Sequence, residues 1–232
     1  MKVQPLWLHF FYFYTCMTHQ SNEIEPILLS TAYFPPIAYF AILAGACKVV
    51  VESQETYPKQ TFRNRCTIHS ANGPLTLSLP VTRPHGNHTV VTDVGIATGV
   101  SWQLQHWRAI ESAYNPSPFF LYYKEEIKPF FSANAGGNLF THNLEIIKSL
   151  CEITGIETDI AYNESYEKNP SRCVDLRYLT SRKQSVEKPM PEYPQVFQER
   201  NGFIPNLSIL DLLFNLGPDT KDYLKKVSVR MI

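Results

Sequence analysis

Two arginines flank an asparagine at Arg63-Asn64-Arg65, and no other stretch of the chain has residue types better suited to binding chemistry. Each guanidinium presents a rigid, planar set of donors that fits a phosphate or a carboxylate. On a strand the two arginines would point to the same face, because side chains alternate along it. Lys59 and Tyr57 stand a few residues upstream. The pattern predicts a site for an anionic small ligand, and a solvated strand face is the alternative.

Polar and aromatic residues follow two apolar segments that are typical of buried strands. Tyr33 follows Ile27–Ser30, while Glu52 and Gln54 end and follow Lys48–Glu52. Ligands of parallel α/β sheets bind beyond the carboxyl ends of the strands. We therefore expect Tyr33 and Gln54 to shape a pocket there. Glu52 is a candidate general base or a group that orients an arginine, and a simple salt bridge to one of the arginines is the other interpretation.

His106 lies near the apolar face of a predicted helix, since it stands four residues from both Trp102 and Ile110. A half-buried histidine can exchange a proton near neutral pH. The alternative is a core histidine that is satisfied by hydrogen bonds. His106 and Glu52 are therefore the two candidate catalytic residues.

The 232-residue chain has 21 basic and 21 acidic residues, so its formal net charge is zero. Domains that bind nucleic acid usually carry a clustered basic excess, and we expect no nucleic-acid partner. Hydrophobic residues make up 44% of the chain, which is enough for a substantial core. The length predicts one domain, and nothing in the sequence fixes its oligomeric state.

The five cysteines form no C-x-x-C pair, and an odd number of them is typical of free thiols in a reducing compartment. No Cys/His spacing fits a zinc site. The chain also lacks the glycine-rich loops that bind nucleotides and the serine-hydrolase elbow. We therefore expect no metal ion and no cofactor, and we interpret Cys66 as a buried structural thiol.

The first 26 residues begin with an aromatic-rich apolar run, Met1–Met17. This run is too short to span a bilayer, and no small-residue cleavage site follows it. We interpret residues 1–26 as a non-native extension from an upstream start codon, with an export signal or a peripheral anchor as the alternative. No later segment reaches the ~20 apolar residues of a transmembrane helix, so we expect no integral membrane contact. The free thiols predict a cytoplasmic location.

The N-terminal half of the chain is β-rich. A strand–helix–strand pattern predicts parallel pairing over Ile27–Ser30, Ile37–Ala46 and Lys48–Glu52. Asn72-Gly73 between alternating segments predicts a hairpin. Its strands would be Arg65–His69 and Leu75–Val81, and a further strand would be Val91–Ala97.

The C-terminal half has mostly helical periodicity. The predicted helices are Trp102–Tyr114, Phe119–Phe131, Asn138–Ile153 and Ile209–Phe214, with one strand at Glu157–Tyr162. Residues 163–194 are polar and contain four prolines, which predicts a long loop. The fold class is therefore α/β, either mixed α/β or α+β, with a strand–helix–strand unit and a hairpin before a helical region.

Five segments of the chain resemble the WbqC-like protein family, and their detailed wording is most similar to its Bacteroidetes members. The segments are Leu28–Phe40, Lys59–Cys66, Asn72–Val81, His106–Phe120 and Asn201–Pro218, in the order of the family. The resemblance implies a single domain over residues 27–232, with residues 1–26 outside it. Many relatives carry Gln-Pro where this chain has Thr31-Ala32.

The resemblance also implies a function, because members of the family are associated with gene clusters for O-antigen and other surface polysaccharides. It suggests a transferase that moves an aminoacyl or acyl group onto a sugar, with a nucleotide sugar as the anionic substrate. The substrate-binding set is then Tyr33, Gln54, Lys59, Arg63, Asn64 and Arg65. The alternative is a non-catalytic module that binds a metabolite or a biosynthetic partner.

Overall fold

The computed structural model describes residues 25–99, 101–132, 137–181 and 190–231, with side chains up to residue 228. The predicted extension therefore lies outside the described residues except for its last two positions. The structure combines helices with strands, and its main sheet is parallel. This confirms the predicted α/β class.

The strand–helix–strand prediction at the start of the domain is confirmed. Strand β1 (Ile27–Ser30), helix α1 (Ile37–Gly45) and strand β2 (Lys48–Glu52) follow one another, and the two strands pair in parallel. Ser30 is the partner of Glu52 in this register. The carboxyl ends of both strands consequently open toward the same edge of the sheet.

Two more strands complete the sheet. Strand β7 (Asp159–Tyr162) pairs in parallel with β2, and strand β8 (Val174–Asp175) pairs in parallel with β1. The strand order is β7-β2-β1-β8. The prediction of one long loop over residues 163–194 is wrong in part, because this segment contains β8 and a 3-10 turn at Arg177–Thr180. Its residues 182–189 lie outside the described chain.

The predicted hairpin is also confirmed. Strands β3 (Arg65–Ser70) and β4 (Gly73–Ser78) pair antiparallel, and Gly73 at the turn has a φ of 96°, which suits glycine. A small ribbon follows, formed by β5 (Val81–Thr82) and β6 (Gly95–Ile96). The predicted strand Val91–Ala97 is wrong in its first half, because Val91–Asp93 forms a 3-10 turn.

The two arginines of the central triplet do not share a strand. Strand β3 begins at Arg65, whereas Arg63 lies in the turn that precedes it. Arg63 is buried with 4% of its surface exposed, and Arg65 is half-buried. The expectation that both side chains project from one strand face is therefore wrong.

Within the described ranges, six further helices pack around this β-rich half. They are α2 (Trp102–Tyr114), α3 (Phe120–Ile127), α4 (Leu139–Thr154), α5 (Gln198–Asn201), α6 (Ile209–Leu216) and α7 (Thr220–Met231). Asn138 caps α4 by accepting a hydrogen bond from the Thr141 amide at 3.1 Å. The predicted helix Phe119–Phe131 is shorter than expected, because Lys128–Phe131, which contains Pro129, is a 3-10 turn.

Helix α1 is apolar nearly all round, so neighbours on several sides must cover it. Helix α7 packs against it, and the sequence had not predicted α7. The core continues through α2, α4 and α6. No helix within the described ranges is long and apolar enough to cross a bilayer.

Candidate functional site

A pocket of about 500 Å³ opens where the chain leaves the carboxyl ends of β2, β7 and β8. Its wall includes Glu55 and Arg63, two tyrosines at Tyr166 and Tyr178, and Arg177. This volume is within the range of small-molecule sites, and its place in a parallel sheet is where such sites form. We call it the edge pocket.

Arg63 is held in the wall of the edge pocket by a two-pronged ion pair. Its Nε donates to Glu55 Oε1 and its Nη2 to Glu55 Oε2, both at 2.7 Å. Nη2 also donates to Ser30 Oγ at 2.6 Å. Only 5% of the Arg63 side chain and 11% of the Glu55 side chain are exposed. The pair therefore fixes the end of β1 to the turn before β3 and neutralises the Arg63 charge.

Arg177 makes a second ion-pair network that joins the strand ends. It donates to Asp175 through Nε at 2.9 Å and through Nη2 at 2.7 Å, and its Nη1 donates to Glu52 Oε2 at 3.0 Å. Glu52 is fully buried and also accepts from Asn163 Nδ2 at 2.7 Å. The hydrogen bonds from Arg177 lower the pKa of Asp175, and burial opposes this. The network ties the ends of β2, β7 and β8 together.

The two ion-pair networks change the expected charge of the site. Arg63 and Arg177 are matched by Glu52, Glu55 and Asp175. The edge pocket is therefore polar and its arginines are paired with carboxylates, whereas the sequence predicts free arginines for an anionic ligand. Above it, the Tyr166 ring lies 5.2 Å from the Arg177 guanidinium, a cation–π distance.

Of the predicted substrate-binding residues, Arg63 alone lines the edge pocket. Gln54 is half-buried beside Ser53, and Lys59 is exposed. Asn64 is buried and its amide donates to a backbone carbonyl at 2.9 Å. Arg65 is half-buried on β3. The turn that links β2 to β3 thus carries most of the predicted substrate-binding residues, but the side chains of these residues do not meet in one place.

Tyr33 and His106 meet in the core instead of at the pocket. The Tyr33 hydroxyl lies 2.9 Å from His106 Nδ1, and both residues are buried. Burial lowers the pKa of His106 to about 4, and a hydrogen bond to the Ser78 backbone opposes this. Burial likewise raises the pKa of Tyr33. His106 is therefore neutral at physiological pH.

A second histidine, His142 on α4, joins this pair, and the sequence reasoning missed it. Its ring stacks on Tyr33 with the centroids 6.1 Å apart, and it meets Trp102 edge-on at 6.0 Å. Its Nε2 is buried and has no hydrogen-bond partner within the described residues. Burial lowers the pKa of His142 to about 4. Tyr33, His106, His142 and Trp102 form what we call the aromatic–histidine cluster.

A buried carboxylate lies in another part of the core. Asp211 on α6 accepts hydrogen bonds from the Tyr114 hydroxyl at 2.8 Å, the Tyr193 hydroxyl at 2.6 Å and Gln195 Nε2 at 3.1 Å. Burial raises the pKa of Asp211 to about 6, and these hydrogen bonds oppose the shift. The network joins α2 and α6 to the segment before α5, and it is distant in sequence from every residue of the edge pocket.

Sequence reasoning also missed Tyr166, Arg177 and Tyr178 of the edge pocket. They lie in the segment that was predicted as a loop. The alternation of apolar residues in Val174-Asp175-Leu176 is the only local sign that a strand precedes Arg177. No group of three or more His, Cys, Asp or Glu side chains in the described ranges is arranged to hold a metal ion.

Comparison with known proteins identifies relatives for most of this chain. The sequence profile described as the WbqC-like protein family matches residues 31–186 and 176–223. The uncharacterized protein Rv1507c of Mycobacterium tuberculosis is 26% identical over 223 residues, which covers 85% of this chain and 96% of that protein. No solved structure matches the chain.

Proposed function

Since this chain belongs to the WbqC-like protein family, we propose that it is a cytoplasmic transferase of O-antigen or surface-polysaccharide biosynthesis. In this proposal it moves an aminoacyl or acyl group onto a nucleotide-linked sugar. The observation that carries the proposal is the edge pocket, a cavity of about 500 Å³ with charged groups in its wall and half-exposed tyrosines at its rim.

The rim tyrosines support a sugar or a nucleobase as part of the ligand. Tyr166 is 51% exposed and Tyr178 is 48% exposed, so about half of each side chain is available to a flat or weakly apolar partner. Aromatic rings give large contact areas to such partners while their hydroxyls stay hydrated. In the wall below, Thr61, which is 7% exposed, adds a hydroxyl group that can bond to the polar edge of a sugar.

The proposed reaction joins two substrates at one carbonyl carbon. An amine or hydroxyl of the sugar attacks the carbonyl of the donor, a new amide or ester bond forms, and the bond to the leaving group of the donor breaks. The nucleophile gives up one proton and the leaving group takes one. Glu55 is the carboxylate in the pocket wall, and we propose it as the acceptor of that proton because its position suits a general base.

Glu52 and His106, the two catalytic candidates from the sequence, fit this proposal as positioning residues. Glu52 holds Arg177 at 3.0 Å. His106 holds Tyr33, whose backbone amide donates to the Phe62 carbonyl at 2.9 Å, one residue before Arg63. Each would act on the edge pocket through the residue that it fixes.

A non-catalytic module that binds a metabolite is the second candidate function. It is favoured by the pairing within the pocket, because Glu55 is already held by both prongs of Arg63. A carboxylate held in this way is stabilised in its charged form and is a weaker base. Such a module would bind a sugar ligand without turning it over.

The test compares two exposed tyrosines in the full-length protein. Tyr166→Ala removes a ring from the rim of the edge pocket, and Tyr122→Ala removes a ring on α3 that is 76% exposed. Thermal shift against a panel of nucleotide sugars is followed by mass spectrometry of the sugar with aminoacyl and acyl donors. We expect a nucleotide sugar to raise the melting temperature, and we expect Tyr166→Ala to weaken its apparent Kd at least tenfold. The sugar should also gain the mass of one acyl group. Binding without any mass gain favours the second candidate function. If both variants bind as tightly as the unmodified protein, the assignment of the edge pocket is overturned.

A further inference from the structure

The guanidinium of Arg65 lacks a counter-charge among the residues that the structure describes. Within the described ranges, Arg65 forms no ion pair. Its Nε is buried and has no hydrogen-bond acceptor there. A buried donor without an acceptor is costly, and a charged one costs more. The position of Arg65 therefore favours an acceptor that a ligand brings.

Arg83 is a second arginine without an acidic partner in the described part of the chain. It directly follows β5, and its Nη1 makes a long contact of 3.4 Å with the neutral Asn87 Oδ1. Asp93 in the same loop region is exposed and pairs with neither arginine among the described residues. The charge of Arg83 is thus available to an anion.

Backbone contacts bring the segments that carry Arg65 and Arg83 near each other. The Leu79 amide donates to the Asn64 carbonyl at 2.8 Å, so β4 runs beside the start of β3 and leads into β5. The loop after Arg83 returns to the turn before Arg63, where the Tyr57 amide donates to the Thr89 carbonyl at 2.9 Å. The loop after Arg83 therefore lies against the segment that leads to Arg63 and β3.

Tyr57 lies in this region. Its side chain is buried with 5% exposed. Burial raises the pKa of Tyr57, and the positive charges of Arg63, Arg65 and Arg83 oppose that shift. The charges of all three arginines therefore act on one phenol, and of the three only Arg63 is paired with a carboxylate, Glu55, within the described residues.

We propose that Arg65 and Arg83 form an anchor for a phosphate or pyrophosphate group beside the edge pocket. The inference rests on the proposed function, and it assigns the anionic part of the nucleotide sugar to these two arginines instead of to Arg63 and Arg177. Two guanidiniums without counter-charges fit the oxygens of a phosphate as bidentate partners. Ser78, the exposed partner of Arg65 across the hairpin, adds a hydroxyl donor at the same face.

The experiment measures the binding of inorganic pyrophosphate to the full-length protein by calorimetry at low ionic strength, because screening weakens such contacts. The test variant is the double substitution Arg65→Gln and Arg83→Gln. The control is Arg108→Gln with Arg200→Gln, which removes the same charge at two exposed positions. Each lost charge-assisted contact is worth on the order of tenfold in affinity, so we expect at least a tenfold weaker Kd in the test variant and an unchanged Kd in the control.

Two results would overturn the anchor: pyrophosphate that does not bind the unmodified protein, or equal weakening in both double variants. The outcomes also separate the anchor from the proposed function. If pyrophosphate binding needs Arg65 and Arg83 but no acyl group is transferred, the anchor stands and the transferase proposal is overturned. If the test double variant transfers an acyl group to a nucleotide sugar with an unchanged KM, the transferase proposal stands and the anchor is overturned.

Discussion

The Tyr33 hydroxyl lies 2.9 Å from His106 Nδ1, and this hydrogen bond is enclosed in the aromatic–histidine cluster. Tyr33 follows β1 and His106 lies on α2, so the bond ties the carboxyl edge of the sheet to the helical half. His142 stacks on the ring of the same tyrosine, but its Nε2 has no partner in the described ranges. The two histidines share one environment and differ in whether their polar atoms are satisfied.

Replacing each histidine by phenylalanine should therefore give opposite results. His106→Phe leaves the Tyr33 hydroxyl buried without a partner, and we expect the free energy of unfolding to fall by about 1–3 kcal/mol. His142→Phe removes an unsatisfied buried nitrogen from among aromatic rings and should leave the stability unchanged or raise it. Urea denaturation at pH 7.5 measures both. A clear loss of stability in His142→Phe would show that Nε2 has a partner in solution.

Acid should destabilise the protein through the same two histidines. Both have a pKa of about 4 in the folded state and a reference value of 6.5. Between these values the unfolded chain binds protons that the folded protein does not, so stability falls as the pH drops from 6.5 to 4. Each histidine contributes about 3 kcal/mol to this loss. Denaturation midpoints at half-unit pH steps in an Asp211→Asn background, which removes the opposing titration of Asp211, should show it, and the loss should shrink by roughly half when His142→Phe is added.

Asp211 should act in the opposite direction. Its pKa is raised to about 6 from a reference of 3.8, so the folded state holds a proton between these values that the unfolded chain has lost. Stability from this group therefore falls as the pH rises from 4 to 6, by about 3 kcal/mol. Asp211→Asn cannot ionise and should abolish that fall. Asp219→Asn, at an exposed position, should leave it unchanged, and an identical pH profile in the two variants would contradict the assignment.

The elements that the sequence predicts correctly are those with local signals. The unit from Ile27 to Glu52 has an apolar helix between β-branched runs, and the hairpin is marked by Asn72-Gly73. Strand β8 has two residues in a polar, proline-rich segment, and it forms only because β1 offers an open edge. Long-range pairing of this kind leaves no periodicity to detect.

The candidate site was predictable only in part, for the same reason. Placing Glu52 and Tyr33 at the carboxyl edge follows from the strand order. The partners of Glu52 do not, since Arg177 lies far along the chain and follows the unpredicted β8. The divergence of Arg63 and Arg65 was also hidden, because it depends on where β3 begins.

Removing one partner of the Arg63–Glu55 pair should destabilise the protein far more than removing both. Arg63→Met leaves the Glu55 carboxylate with 11% exposure and no counter-charge, so we expect a loss of about 3–5 kcal/mol, and Glu55→Leu should cost a similar amount. The double variant should recover a large part of that loss, because apolar side chains of similar size can replace a buried ion pair. Urea denaturation of the double-mutant cycle measures the coupling energy.

Lys124 and Glu125 provide the matched comparison, since their contact is 3.9 Å and Glu125 is 70% exposed. Removing either of them should change the free energy of unfolding by less than about 1 kcal/mol. If Arg63→Met costs no more than Lys124→Met, the Arg63–Glu55 pair is not closed to water in solution. Its guanidinium would then be free to bind an anion in the edge pocket.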